Sequence, residues 1–275
     1  MDRTLTYTVS IEESDLRADQ FLSRRGFSSH LLTRLRKNME HLLINGTPSR
    51  TNTPLHEGDI LTVHIVEEHS SYHVPPVKLP LSIVYEDEDI LVANKPAKMP
   101  IHPSMDNYYN SLANALAWYY RDSGNFIFRC TNRLDRDTTG LLVIAKHLLA
   151  GCILSDQMLN RQIHRQYRAI VCGKTEKEGI IDAPIGRAED STVLRRIDFE
   201  HGETARTRYR LLSYDEEKDH SNHIIVYGAV KEECDSLCGK LCLFPVYFSD
   251  SVFDAAVCDH SVCTSYKGGL HEGSD

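Results

Sequence analysis

Two aspartates and two arginines lie within residues 133–137, inside the stretch NRLDRDTTGLLVIAK that begins at Asn132. The apolar run at residues 141–145 predicts a buried strand, so the polar residues before it form a loop held at the end of a sheet. An arginine within reach of an aspartate keeps the carboxylate ionised at neutral pH, as a nucleophile or a base requires. The stretch therefore predicts a catalytic loop.

The spacing of Asp135 and Asp137 leaves three interpretations of this loop open. One aspartate could be a nucleophile or a base, and the two could instead form a general acid and base pair, as in glycosidases. The loop could also be a polar turn with local salt bridges.

Other familiar sites are not predicted. Residues 173–175 end like a phosphate-binding loop, but Arg168 stands where its first glycine is needed. Cys234, Cys238 and Cys242 include no CxxC pair, so we predict no metal site.

The hydrophobic pattern around the loop predicts short strands and helices that would position it. Strands are predicted at residues 83–85, 90–93, 141–145, 167–172 and 223–226. Helices are predicted at residues 112–120 and over a segment that carries Leu148 and Met158. The polar, proline-rich residues 69–80 predict a linker before these elements.

Residues 1–68 predict a small αβ module in front of that linker. It has a strand at residues 4–11, a helix capped by Ser14 or Asp15, and a second helix capped by Ser28 or Ser29. A hairpin with an Asn-Gly turn at residues 45–46 and a strand at residues 60–66 complete the module. The helices offer a basic face that we expect to bind phosphate, and its residues are Arg24, Arg25, Arg34, Arg36 and Lys37.

The net charge of −8 argues against a nucleic-acid partner, but its distribution along the chain reverses that inference. Residues 17–50 carry seven basic and two acidic residues, and residues 121–210 carry sixteen basic and twelve acidic residues. The acidic excess lies in residues 211–275, which contain no arginine. Phosphate binding depends on the local patch, so two regions of the chain remain candidates for binding RNA.

The sequence shows no long apolar stretch and no signal peptide at its first residues. We therefore expect a cytoplasmic protein without a membrane span, in which the eight cysteines are reduced thiols.

The run RLDRDTTGLLVIAK resembles the signature of the RluA/RluD family of pseudouridine synthases, which typically reads RLDxxTSGLLVxAK. On its N-terminal side, LSIVYEDEDILVANKPAKMPIHPS resembles the strand, acidic turn and NKPAG-like segment of this family. On its C-terminal side, RQIHRQYRAIVCGKTEKEGIIDAPIGR resembles the segment with the family's KxY motif. Residues 1–68 resemble an S4 RNA-binding module, which commonly precedes this catalytic domain.

The resemblance implies a role for three residues and an activity. Asp135 matches the catalytic aspartate of the family, and Arg133 matches the arginine associated with the surroundings of the flipped-out nucleotide. Tyr167 matches the tyrosine that packs on the target base. The family isomerises uridine in RNA without a cofactor, so we expect large-subunit rRNA as the partner, with tRNA as the alternative, and no protein partner. Asn132, Thr139 and Arg165 depart mildly from the family's pattern.

A larger departure concerns the end of the chain. The family's GRTHQIRVH-like third motif, which supplies an arginine that pairs with the aspartate, is missing from the sequence. We therefore predict that Asp135 lacks this basic partner, that terminal strands of the sheet are missing and that the exposed core lowers solubility. A reading-frame change or a replaced terminus would explain the cysteine-rich residues 227–275, and a novel cysteine-rich tail is the alternative. The alternative to an active enzyme is then an impaired, RNA-binding remnant of the family.

The predicted fold class is α+β. The S4-like module at residues 1–68 and the linker at 69–80 precede a mixed, mainly antiparallel catalytic domain at residues 81–226. This domain is truncated at its C-terminal end and is followed by a divergent tail at residues 227–275.

Overall fold

The computed structural model describes residues 1–188 and 195–227 of the chain. Its compact units divide after His164, so that the first unit is Met1–His164 and the second begins at Arg165. The divergent tail predicted from residue 227, with the cysteines at positions 234, 238, 242, 258 and 263, lies beyond Tyr227 and so outside the described residues.

The N-terminal part of the first unit is a four-stranded antiparallel sheet with two helices against it. In spatial order the strands are β1 (Arg3–Thr8), β4 (Ile60–Ile65), β2 (Leu42–Ile44) and β3 (Thr47–Pro48). The helices are α1 (Ala18–Ser23) and α2 (Ser29–Lys37). Phe21, Leu31, Leu35 and Leu61 are buried in one core between them, which fits the apolar spacing of the sequence. The predicted Asn-Gly hairpin joins β2 to β3, as expected.

The two helices differ in how well their starts could be predicted. Ser28 caps α2 as expected, because its hydroxyl accepts a hydrogen bond from the backbone N–H of Leu31 at 3.3 Å. The predicted cap of α1 at Ser14 or Asp15 is wrong, since this helix begins at Ala18 after Arg17. Asp15 has a φ of 69° and bonds to the carbonyl of Leu55, so the backbone there follows a neighbouring segment instead of a helix.

A second antiparallel sheet carries the predicted catalytic loop. Its order is β5 (Ser82–Glu86), β6 (Ile90–Lys95), β8 (Gly140–Ala145) and β7 (Arg129–Cys130). Helices α3 (Leu112–Tyr119) and α4 (Leu148–Leu159) belong to the same unit. Leu91, Leu116, Leu142 and Ile144 are fully buried in the core of this part. The strands and helices predicted at residues 83–159 are all present, within one to three residues at their ends.

One partly buried network joins the two sheets of the first unit. Asp89 accepts a hydrogen bond from Arg3 Nε at 3.0 Å and lies 2.9 Å from His147 Nε2. The backbone N–H of Ala150 donates to His147 Nδ1, so Nε2 carries the proton that Asp89 accepts. Residues 69–80 form no helix or strand, but Val74 and Leu79 pack on the core and Val77 N donates to Asn114 O at 3.1 Å. The predicted linker is therefore bound to its surroundings.

The second unit contains an antiparallel sheet in the order β10 (Glu178–Asp182), β13 (Arg206–Asp215), β14 (His220–Tyr227) and β9 (Gln166–Cys172). A separate two-stranded sheet is formed by β11 (Ile185–Arg187) and β12 (Arg195–Ile197). Only β9 and part of β14 were predicted from the sequence. The described strands pair in an antiparallel direction, so the α+β class with mainly antiparallel sheets is confirmed.

Within the described residues, no helix is both long enough and apolar enough to cross a membrane. Cys130, Cys152 and Cys172 form no disulfide there.

Candidate active site

The loop predicted to be catalytic leaves the sheet at its edge strand, β7, and returns to it at a central strand, β8. It runs from the end of β7 to Gly140, where β8 begins opposite Lys95 of β6. Gly140 has a φ of 133°, a backbone conformation that side chains with a Cβ rarely adopt. The glycine of the sequence run therefore allows the sharp entry of the loop into its strand.

Lys95 is the buried anchor of this loop. Its side chain is fully buried, and its ammonium donates to the backbone carbonyls of Pro96 at 3.0 Å, Met99 at 2.8 Å and Arg136 at 3.0 Å. The three N–H groups of the ammonium are thus matched by three acceptors. Burial lowers the pKa of Lys95 to about 8, against the opposing effect of the negative charges of Asp137 and Asp135. The carbonyl of Arg136 fixes the middle of the loop to the core.

Asp137 forms a local ion pair within the loop. Arg136 NH2 lies 2.9 Å from its carboxylate, and Arg136 Nε lies 3.2 Å from it. These hydrogen bonds, with the positive charges of Arg136, Lys95 and Lys98, lower the pKa of Asp137. A general acid needs a raised pKa, so Asp137 is not suited to be the general acid of a glycosidase-like pair.

Asp135 and Arg133 lie on the exposed side of the same loop. The carbonyl of Asp135 accepts a hydrogen bond from Thr138 N at 3.2 Å, which closes a turn and leaves the carboxylate at the surface. The positive charge of Arg133 reaches His102, where it adds to partial burial in lowering the pKa of that imidazole. A carboxylate on a pinned turn with an arginine two residues away can act as a nucleophile or as a base towards a bound substrate.

Tyr167 lies on β9 in the second unit, so the structure describes it separately from Asp135. Its half-buried ring packs against the small cluster of Ala169 and Ile225. Neighbouring Arg168 is exposed, as expected for residues that alternate between the faces of a strand. The role of Tyr167 against a target base stays a prediction.

The five basic residues predicted to bind RNA divide into two groups. Arg24 and Lys37 are exposed. The other three are engaged within the module: Arg25 stacks on Phe21 and pairs with Glu13, Arg34 donates to Val66 O, and Arg36 pairs with Asp19. The sequence predicted one basic face, whereas the structure shows that part of it also holds the module together.

Sequence reasoning missed the role of Lys95. A usable signal was present, because Leu91, Ala93 and Lys95 alternate along β6 and all three are buried. A lysine on the apolar face of a strand must find hydrogen-bond acceptors inside the protein, and here they are loop carbonyls. Within the described residues, no group of three or more histidines, cysteines or acidic residues could hold a metal ion.

Comparison with known proteins shows the family of the chain. The sequence model of the RNA pseudouridylate synthase family matches residues 89–229, slightly more than half of the chain. The chain belongs to the RluA/RluD family of pseudouridine synthases. The matched region contains the loop of Asp135, β9 with Tyr167, and the sheet of the second unit.

Several relatives agree with this membership. An uncharacterised RNA pseudouridine synthase, YjbO, of Bacillus subtilis is 37% identical over 180 residues, covering 65% of this chain and 64% of its own. Ribosomal large subunit pseudouridine synthase D of Pasteurella multocida is 34% identical over 214 residues, covering 76% of this chain and 65% of its own. The chain thus spans less than two thirds of the length of either relative.

Among solved structures, human RNA pseudouridylate synthase domain containing 1 is similar to this chain, with a TM-score of 0.45 and 25% identity. The similarity covers 54% of this chain and 59% of the human chain.

Proposed function

We propose that this chain isomerises uridine to pseudouridine in structured RNA, with Asp135 as the catalytic residue and without a cofactor. One observation carries the proposal: the loop of Asp135 is exposed at its tip and pinned at its middle by the buried Lys95, inside the region that matches the family. A rigidly held carboxylate at the surface suits a substrate base that must first leave its helix.

The reaction exchanges one bond for another within the same nucleotide. The bond between N1 of uracil and C1′ of ribose breaks, the base turns, and a bond forms between C5 and C1′. C5 loses its proton and N1 gains one, so atoms and charge balance. Asp135 would act either as a nucleophile at C1′ or as a base at C2′, and both roles require an ionised carboxylate.

The remaining residues take supporting roles in this proposal. Arg133 would order the surroundings of the flipped nucleotide, and the ring of Tyr167 would lie under the uracil. Residues 1–68 would form an S4-like RNA-binding domain before the linker at residues 69–80, with Arg24 and Lys37 as its accessible phosphate contacts. Several relatives are named for the ribosomal large subunit, which favours its rRNA over tRNA as the substrate. We propose that the protein acts in the cytoplasm.

A second candidate function is RNA binding without catalysis. It is favoured by the sequence after Arg210, which contains no arginine and lacks the third motif of the family. The match to the family model ends at residue 229. The predicted loss of a basic partner for Asp135 concerns a motif beyond Tyr227, outside the described residues.

Tritium release from RNA carrying 5-tritiated uridine distinguishes the two candidates. We expect the purified chain to release tritium and Asp135→Asn to abolish release while leaving RNA affinity within about twofold. Asp137→Asn is the matched control in the same loop, and it should keep most of the activity because Asp137 already pairs with Arg136. RNA binding without release by the unsubstituted chain selects the second candidate. Full activity of Asp135→Asn contradicts the catalytic assignment.

A further inference from the structure

A closed surface loop formed by residues 102–111 stands next to the catalytic loop. Its two ends are tied together, because Leu112 N donates to Pro100 O at 2.8 Å and Ala113 N donates to Ile101 O at 3.0 Å. Compact surface loops whose ends meet in this way are frequently functional. We refer to residues 102–111 as the closed loop.

Two contacts place the base of the closed loop beside the catalytic loop. The ammonium of Lys95 bonds to both Met99 O and Arg136 O, so one buried side chain links the segment leading into the closed loop with the segment that carries Asp135. At the first position of the closed loop, His102 is within electrostatic range of Arg133. A nucleotide bound at Asp135 would therefore have neighbours within reach of the closed loop.

The closed loop is ordered by its own polar groups. Asn107 N donates to Ser104 O at 2.9 Å, and the side-chain amide of Asn107 donates to Met105 O at 3.3 Å. The amide of Asn110 donates to Asn107 Oδ1 at 2.9 Å. These bonds lower the entropy that the loop would lose on binding a partner.

Large apolar side chains point outward from this ordered loop. Met105 is 80% exposed, Tyr108 is 58% exposed and Tyr109 is 66% exposed. Single exposed apolar residues are ordinary on protein surfaces, but three within five positions of an ordered loop beside a candidate catalytic residue are not scattered singly. Within the part of the chain that the structure describes, the two tyrosine hydroxyls form no hydrogen bond, so folding does not account for these rings.

We propose that Tyr108 and Tyr109 form a stacking platform for unpaired RNA bases next to the target uridine. This inference rests on the proposed function, because extruding one base leaves its neighbours partly unstacked. An aromatic ring restores a stacking partner for any of the four bases, since each has a π-face. The platform would thus favour single-stranded or bulged RNA without reading its sequence.

RNA binding by point variants tests the platform in the full chain. The probe is a fluorescein-labelled oligouridylate, with fluorescence anisotropy as the measurement. We expect Tyr108→Ala and Tyr109→Ala each to weaken binding about tenfold, whereas the phenylalanine variants bind like the unsubstituted chain. Tyr85→Ala is the matched control. Tyr85 of β5 is also 51% exposed, but it pairs with Val92 of β6, away from the Lys95 end of that strand.

An oligouridylate with abasic positions tests stacking directly, because its affinity would not change in this way if the tyrosines only supported the fold. The abasic probe should bind the unsubstituted chain about tenfold more weakly, yet bind the alanine variants with little further loss, because the stacking partner is already gone. Unchanged affinity of the alanine variants overturns the platform and leaves a protein partner as the occupant of these rings. Equal losses in Tyr85→Ala, or no oligouridylate binding by the unsubstituted chain, also overturn it.

The tritium assay separates this inference from the proposed function. If the unsubstituted chain releases tritium and the alanine variants bind RNA normally, only the platform fails. If the unsubstituted chain releases no tritium and the alanine variants lose affinity, the proposed catalysis fails and the platform stands.

Discussion

At the residue scale, Lys95 decides how rigidly the candidate catalytic loop is held. Lys95→Met keeps the length of the side chain but removes the donor to three backbone carbonyls. Because each buried acceptor left unpaired costs about 1–3 kcal/mol, we expect the free energy of unfolding to fall by about 2 kcal/mol or more in urea titrations. We also expect kcat to fall more than RNA affinity, because the loop of Asp135 loosens.

The pH dependence of this variant supplies a second check. The pKa of Lys95 is about 8 in the folded chain and ordinarily 10.5, so between these values the unfolded chain binds more protons than the folded one. The stability of the unsubstituted chain relative to Lys95→Met should therefore rise as the pH increases from 8 to 10.5. Lys98→Met is the control, since Lys98 is exposed near the same loop. Equal effects of the two substitutions would contradict the anchoring role.

The sequence predicted the position of the candidate loop better than the groups that support it. Asp135 and Arg133 could be found because chemistry-bearing residues cluster next to an apolar run. The alternation along β6 could have indicated that Lys95 is buried, but it could not identify the partners of Lys95. These are carbonyls at sequence separations of up to 41 residues, and backbone groups leave no mark in a sequence. The sequence predicted a local salt bridge in the loop, and Asp137 forms one with Arg136. It could not predict which aspartate forms this salt bridge, because that depends on the conformation of the loop.

At the element scale, the basic face of the N-terminal helices has both structural and exposed members. Arg36 donates to Thr51 at 3.1 Å and pairs at 3.1 Å with Asp19, whose side chain is 8% exposed. The sequence could place Arg36 on a polar helix face. It could not show that Asp19 and Thr51 lie beside Arg36, because backbone hydrogen bonds between residues 15–19 and 51–55 bring them there. The wrongly predicted start of α1 has the same cause, because strand-like pairing of residues 15–19 overrides the local capping signal.

Alanine variants should separate these two roles. Arg36→Ala should lower the free energy of unfolding by about 1–3 kcal/mol, because it removes a charged partner from a nearly buried carboxylate. Arg24→Ala and Lys37→Ala should each change the free energy of unfolding by less than about 0.5 kcal/mol. Each should nevertheless weaken RNA binding and reduce the slope of log K against log salt concentration by about one unit, because one phosphate contact is lost. Urea titration and anisotropy at several salt concentrations measure both. A stability loss in Lys37→Ala equal to that in Arg36→Ala would contradict the division.

The cost of Arg36→Ala should depend on pH. Burial opposes the ionisation of Asp19, but hydrogen bonds and charge from Arg17 and Arg36 prevail and lower its pKa below the ordinary value of 3.8. The stabilisation by these arginines is therefore present above that pH and is lost as the pH falls through the lowered value. We expect the difference between the unsubstituted chain and Arg36→Ala to shrink in this acidic range.

At the scale of the whole molecule, the described residues of the two compact units differ in how much apolar surface they bury. The first unit has two extended hydrophobic cores. Among the described residues of the second unit, the buried apolar side chains are Ala169, Val171 and Ile225. Because burial of apolar surface is the main stabilising contribution to folding, the second unit should be the less stable one.

Unfolding in urea should therefore occur in two steps when it is followed by amide hydrogen exchange. Amides of β9, β13 and β14 should lose protection before those of β6 and β8. Ile225→Val should shift only the first step, by about 1 kcal/mol, whereas the matched Ile144→Val in β8 should shift only the second. If Tyr167 contacts the target base, saturating oligouridylate should raise the urea concentration at the midpoint of the first step, because a ligand stabilises the unit that it binds. One cooperative transition, shifted equally by both variants, would show that the two units unfold as one.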